Sequence, residues 1–122
     1  PGLAYGHMVI ADTTFSGATL SIYVADATLN NVQITGIQGF GLELNGGLTT
    51  LNGGAFSCNT GADIHMADFS VANDAIANGV IWDHVPPTSC VGCPDAGIDI
   101  LRDDSLPTIV VNSPLRAGNF CP

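Results

Sequence analysis

The chain alternates apolar and polar positions over short stretches and interrupts them with Gly, Asn, Asp, Ser and Thr. Leu20-Ser21-Ile22-Tyr23-Val24, Val32-Gln33-Ile34, Leu42-Glu43-Leu44, Ile64-His65-Met66 and Ile98-Asp99-Ile100 have the period of two that buries one face of a β-strand. Helical signals are scarce. The best candidate is Val71 to Asn78, with Ser70 as N-cap and Gly79 at the C′ position. The triplets at Leu42, Ile64 and Ile98 follow similar lead-ins, Gly39-Phe40-Gly41, Gly61-Ala62-Asp63 and Ala96-Gly97. Asn78-Gly79-Val80-Ile81-Trp82 fits the same slot, and the starts Leu42, Ile64, Val80 and Ile98 lie 22, 16 and 18 residues apart. A strand that recurs about every 20 residues between Gly/Asn-rich turns is what solenoid coils produce. A β-sandwich gives turns at shorter, less similar intervals.

The pattern predicts one all-β domain over residues 1–122, a parallel β-helix (solenoid) of short coils, with a β-sandwich or jelly roll as the alternative. Coil repeats are expected over about 28–101, with Val85 to Asp95 as a protruding loop. Thr108-Ile109-Val110-Val111 reads as a final strand within a C-terminal strand and tail, 106–122. Asn45, Asn52, Asn59, Asn78 and Asn112 fall in or beside turns, where Asn tolerates left-handed backbone.

Asn31-Val32-Gln33-Ile34-Thr35-Gly36, Gly39-Phe40-Gly41-Leu42-Glu43-Leu44 and Gly61-Ala62-Asp63-Ile64-His65-Met66 resemble right-handed parallel β-helix proteins. The Gly/Asn/Thr-rich, lysine-free character is most similar to phage tailspikes and other virion or cell-surface β-helix proteins. The resemblance spans about Thr28 to Leu101 and is one of spacing more than of motifs. It implies a right-handed coil and, in many such proteins, trimeric assembly with carbohydrate contact. It does not imply catalysis.

Composition narrows the function classes. Charged residues make up 11% of the chain, against about a quarter in soluble domains, and hydrophobic residues 46%. So few charges predict apolar surface covered by other copies or a larger partner, a homo-oligomer with a trimer favoured. The net charge is −9, there is no lysine, and Arg102 and Arg116 are the only fixed cations. Nucleic-acid binding, which needs clustered Lys and Arg, is excluded as an expectation, and so are anionic membrane surfaces. The longest uncharged runs, Ala27 to Leu42 and Leu44 to Ala62, are too broken by Gly, Asn, Gln and Thr to be membrane helices. A start at Pro1 predicts a processed or excised piece. Four cysteines, Cys58, Cys90, Cys93 and Cys121, fit disulfides in an extracellular or virion setting, with three pairings open. Zinc at Cys90-Val91-Gly92-Cys93 would need two further ligands, and the sequence has no second cysteine pair.

Candidate chemistry is sparse. With Leu42, Leu44, Ile64, Met66, Ile98 and Ile100 inward, Glu43, His65 and Asp99 would form an outward ladder, flanked by Asp63 and approached by Asp83 and His84. Two carboxylates about 5–10 Å apart suit glycoside hydrolysis, which makes Glu43, Asp63, His65 and Asp99 the catalytic candidates. The plainer expectation is that outward positions are simply polar. Trp82 could offer a sugar ring an apolar platform beside Asp83 and His84, although alternation from Val80 places it inside. No cofactor is expected, with calcium around Asp95, Asp99, Asp103 and Asp104 as the alternative. A lyase of the pectate type would call for a basic residue at the site, and both arginines lie near the C-terminal end. No Gly-x-Ser-x-Gly elbow or phosphate-binding loop is present, and His7 is isolated. The expected function is non-enzymatic: a structural or receptor-binding module of an extracellular particle such as a phage or virus, contacting glycans or neighbouring proteins. A polysaccharide-degrading fragment and a ligand-free capsid-decorating or filament-forming subunit are the alternatives.

Overall fold

The computed structural model describes residues 2–4, 6–23, 26–67, 72–94, 98–104 and 107–117, and among these it contains strands and turns but no helix. The chain runs through β1 (Gly2–Ala4), β2 (His7–Ala11) and β3 (Thr14–Phe15), then β4 (Leu20–Tyr23), β5 (Asp26–Asn30) and β6 (Gln33–Thr35). Next come β7 (Leu42–Asn45), β8 (Gly47–Asn52) and β9 (Ala55–Ser57), followed by β10 (Ile64–Met66), β11 (Asn73–Asn78) and β12 (Ile81–Trp82). β13 (Ser89–Val91) interrupts this rhythm, and β14 (Ile100–Arg102), β15 (Thr108–Asn112) and β16 (Leu115–Arg116) resume it. The strands sort into three sheets of order β1-β4-β7-β10-β14-β13, β15-β11-β8-β5-β2 and β16-β12-β9-β6-β3. Each set of three visits the sheets in turn, and every described pairing is parallel. The β-sandwich and jelly-roll alternative fails here, because those ladders are antiparallel.

The core is made of rows. Leu20, Leu42, Ile64 and Ile100 stand in register on the first sheet, and all are buried. On the third sheet Phe15, Ile34, Phe56 and Trp82 occupy successive layers, with the Phe56 and Trp82 rings 6.2 Å apart. Each fully buried Leu, Ile or Phe contributes about 1.5–3 kcal/mol, so the stacked rows supply most of the driving force. The second sheet contributes smaller inward residues, Ala27, Thr49 and Ala75 in one row and Leu29, Leu51 and Ala77 in the next.

The corner between the second and third sheets repeats in five layers. Asp12, Asn31, Gly53, Gly79 and Ser113 all have positive φ, from 50 to 67°. Their amides stack layer on layer: Asp12 N–H donates to Asn30 O, Asn31 to Asn52 O, Gly53 to Asn78 O and Gly79 to Asn112 O, at 2.8–2.9 Å. The residue before each corner is Asn in four layers, and these amides form a chain. Asn112 Nδ2 donates to Asn78 Oδ1, Asn78 to Asn52 and Asn52 to Asn30, at 2.9–3.1 Å.

Five expectations change. Asn73–Asn78 is not helical; Asn73, Ala75 and Ala77 are buried in alternation, and the ladders to β8 and β15 hold the segment on both sides. Ser70 and Val71 lie outside the described residues. Val80-Ile81-Trp82 does not share the slot of Leu42 and Ile64 but enters the third sheet, against Ala55 and Phe56. Ile64 pairs with Ile100 rather than Ile98, a slip of two residues that keeps the inward face unchanged. Stacking also extends beyond 28–101, from Gly2 to Arg116, and Ser89–Val91 inside the 85–95 segment forms the edge strand beside β14.

The corner predicts opposite outcomes at two adjacent glycines. A Cβ on Gly53 meets nothing within 4 Å, and Asn31 already fills the equivalent site one layer below. A Cβ on Gly54, at φ +80°, would strike the Val32 backbone. In urea unfolding, Gly53→Asn should shift stability by no more than about 1 kcal/mol, whereas Gly54→Ala should cost about 2 kcal/mol or more. Equal costs would mean that backbone approach at Gly54 does not set the layer spacing.

Candidate functional site

Two clusters gather most of the residues that carry chemistry. The first lies on the outer face of the first sheet, where the β7–β10 register sets Glu43 beside His65. His65 Nδ1 lies 3.2 Å from Glu43 Oε2, and Nε2 lies 2.7 Å from Asp103 Oδ1. Asn45 Nδ2 donates to the other Glu43 oxygen at 3.2 Å. The Phe40 ring stacks on the imidazole, with centroids 4.2 Å apart. Asp103 is placed by its own backbone, whose N–H donates to Met66 O. The imidazole thus stands between two carboxyl groups, one at each ring nitrogen.

Asp99 does not join that row. Because Ile64 aligns with Ile100, Leu101 stands next to His65, and the Asp99 side chain is buried elsewhere. The same register makes Asp63 and Asp99 equivalent residues, each immediately before the aligned isoleucine. Asp63 therefore does not flank His65; it forms a second cluster with Asp99 and Asp83, which follows β12. One carboxylate oxygen from each of the three lies within 4.8 Å of the others. Asp63 and Asp99 are each 1% exposed.

Specific donors fix each carboxylate. Asn59 Nδ2 donates to Asp63 Oδ1 at 2.9 Å and also to Ile34 O, while Asn59 Oδ1 accepts from Ile37 N–H. Both Asp83 oxygens lie 3.1–3.2 Å from the Cys58 amide, a residue held at φ +58°. Asp99 Oδ2 accepts from Thr88 N–H at 2.8 Å and Thr88 Oγ1 at 3.3 Å, and lies 3.0 Å from His84 Nδ1. Asp63 Oδ2 is enclosed and has no hydrogen-bond partner. Burial foremost, then the Asp83 charge, then Asp99, push the Asp63 carboxyl up to about 10 against the opposing Asn59 hydrogen bond.

The remaining candidates scatter. Trp82 is not a sugar platform: it is fully buried in the aromatic row, because the β12 register turns it inward. Asp83 and His84 do meet, but at the acidic cluster, with His84 about half exposed. The proposed calcium group does not converge, since Asp99 and Asp103 take different partners. Asp95 lies outside the described residues, and Asp104 is not among the three acids that converge. Cys90 and Cys93 are disulfide-bonded to each other and Cys58 is also disulfide-bonded, while Cys121 lies outside the described residues. His7 is exposed, 3.9 Å from Asp26. A cavity of about 300 Å³ sits at the last layer, lined by Pro86, Pro87, Ile100, Arg102, Ile109 and Val111 among others.

Asn59 and Thr88, which hold the acids, carry no motif. The repeated Asp-Ile pair at 63–64 and 99–100 was the available signal. Family models, curated proteins and solved structures yield no match to this chain.

The cluster makes stability depend on pH. The unfolded chain loses the Asp63 proton near 3.8, whereas the folded chain keeps it up to about 10. Its contribution is therefore complete below about pH 4 and is lost as pH rises through that window, by up to about 1.4 kcal/mol per unit. In metal-free buffer, Asp63→Asn should gain on the wild type progressively from pH 5 to pH 9 in urea titrations. A pH-independent difference would sink this account of the buried carboxyl.

Proposed function

We propose that the chain is a right-handed parallel β-helix serving as a structural and receptor-binding module of an extracellular particle, with its outer faces contacting glycans. The solenoid assignment is supported by three parallel sheets visited in turn, and the hand by the strong right-handed preference of parallel crossovers. The tailspike-type resemblance adds the expectations of a virion or cell-surface setting and trimeric assembly. Disulfides at Cys58, Cys90 and Cys93 fit an oxidising environment.

The observation that carries the proposal is the outer face of the second sheet. There Val9, Thr28, Thr50, Ile76 and Val110 stand in register beside the row Asn30, Asn52, Asn78 and Asn112. Val9 and Val110 are 70% and 54% exposed. A rigid face that sets amides and hydroxyls next to small apolar groups suits a polyhydroxylated ligand, which has both hydroxyls and C–H surfaces. Exposed valines at both ends of the row also suit contact with other copies.

One observation favours a second reading, a polysaccharide-degrading enzyme: Glu43 and Asp103 bracket His65 on a partly exposed surface. The two are separable. Light scattering should give a stable oligomer, and bacterial surface polysaccharide should bind without turnover. Thr50→Arg, in the middle of the face, should abolish binding while leaving the urea midpoint within error. Turnover that disappears in Glu43→Gln would replace the binding module with the enzyme. Assembly without any response to glycans would leave only the self-assembling subunit.

A further inference from the structure

We infer that Asp63, Asp83 and Asp99 form a binding site for a hard divalent cation of calcium size. Three carboxylates converge at the point where the fourth and fifth layers meet, and the surrounding donors aim them. Asn59 occupies Asp63 Oδ1 and leaves Oδ2 buried without a hydrogen-bond partner, beside the other two acids. Thr88 and His84 together hold Asp99 through its Oδ2, which fixes the carboxyl against the other two acids. The Cys58 amide holds Asp83, the most exposed of the three, where the site opens toward solvent. Buried polar groups are ordinarily hydrogen-bonded, and the enclosed Asp63 Oδ2 is the exception in this cluster.

Donor type narrows the ion. The three oxygens fall within 4.8 Å of one another, close enough for all three to reach one cation at calcium–oxygen distances of about 2.3–2.6 Å. An all-carboxylate set is hard and disfavours zinc or copper, which prefer imidazole and thiolate. Water, entering past Asp83, completes the six to eight oxygens that calcium takes. The ion would also tie three coil positions together, Asp63 before β10, Asp83 after β12 and Asp99 before β14, across the irregular 83–99 excursion.

The test is titration of the purified chain with CaCl2 and, separately, MgCl2 at pH 8, read by calorimetry and by the thermal midpoint. Wild type should bind calcium with a midpoint in the range of about 10⁻⁴–10⁻³ M typical of extracellular modules, and its thermal midpoint should rise. Glu43→Gln, in the other cluster, should behave as wild type. Asp63→Asn and Asp83→Asn should each lose at least about tenfold in affinity and most of the thermal shift, with folding checked by circular dichroism. Asp63→Asn is expected to fold, since it replaces a buried acid by a neutral isostere. No heat and no shift in the wild type up to about 10 mM would overturn the site. An undiminished shift in Asp63→Asn would overturn it too, assigning the effect to diffuse screening of the −9 chain.

Discussion

The left-handed corner between the second and third sheets is the constraint on which the stack depends. At each layer one residue with positive φ turns the chain, and in the first four its amide donates to the carbonyl just before the corner of the next layer. L-residues pay about 1–2 kcal/mol for that conformation, and Gly, Asn and Asp pay least. The corner recurs as Asp12, Asn31, Gly53, Gly79 and Ser113, and the Asn chain beside it satisfies side-chain amides along the same edge. With that corner fixed, the two flanking strands have no freedom of register, and the inward rows of Leu, Ile, Phe and Trp must coincide.

Layer regularity fails where the chemistry collects. Leu20, Leu42 and Ile64 are each 22 residues apart, but Ile64 and its partner Ile100 are separated by 36. The added chain carries Asp83, His84, Thr88 and the Cys90–Cys93 disulfide, and it supplies the edge strand β13 beyond β14. An insertion of this kind can bring an acid from a third element onto a pair of stacked acids. A strictly periodic coil would stack only like on like. Asp63, Asp83 and Asp99 owe their proximity to that departure, and burial foremost, then the neighbouring acids, raises the Asp63 carboxyl.

The proposed binding face and the acidic cluster differ in kind. The face uses exposed positions of a regular sheet, coupled along each row as in the chain Asn30, Asn52, Asn78 and Asn112. The cluster sets three carboxyl groups within 4.8 Å of one another, so a change at one alters the field at the other two. Glu43, His65 and Asp103 fall between these extremes: the row comes from strand register, whereas Asp103 arrives from the turn after β14.

Period-two alternation at Leu20, Leu42 and Ile64 determined the all-β class and the inward rows, because side-chain direction in a strand is local. Gly and Asn punctuation marked the turns, but the asparagines singled out there, Asn45, Asn52, Asn59, Asn78 and Asn112, are not the left-handed residues; at the corner these are Asp12, Asn31, Gly53, Gly79 and Ser113. The hexapeptide that ends each corner, as in Leu51-Asn52-Gly53-Gly54-Ala55-Phe56 and Ala77-Asn78-Gly79-Val80-Ile81-Trp82, assigns Trp82 to the third sheet; anchoring the repeat on Leu42 instead misplaced it. Helix signals at Val71 to Asn78 gave way to two flanking ladders, since pairing with neighbours outweighs weak local propensity. Only tertiary structure decided that Ile100, not Ile98, meets Ile64, that Asp99 lies beside Asp63 rather than Glu43, and that Asp103 meets His65. Those contacts join residues 36 to 38 positions apart across a segment of irregular length, so their register is set by which rows fill the core and not by any local pattern.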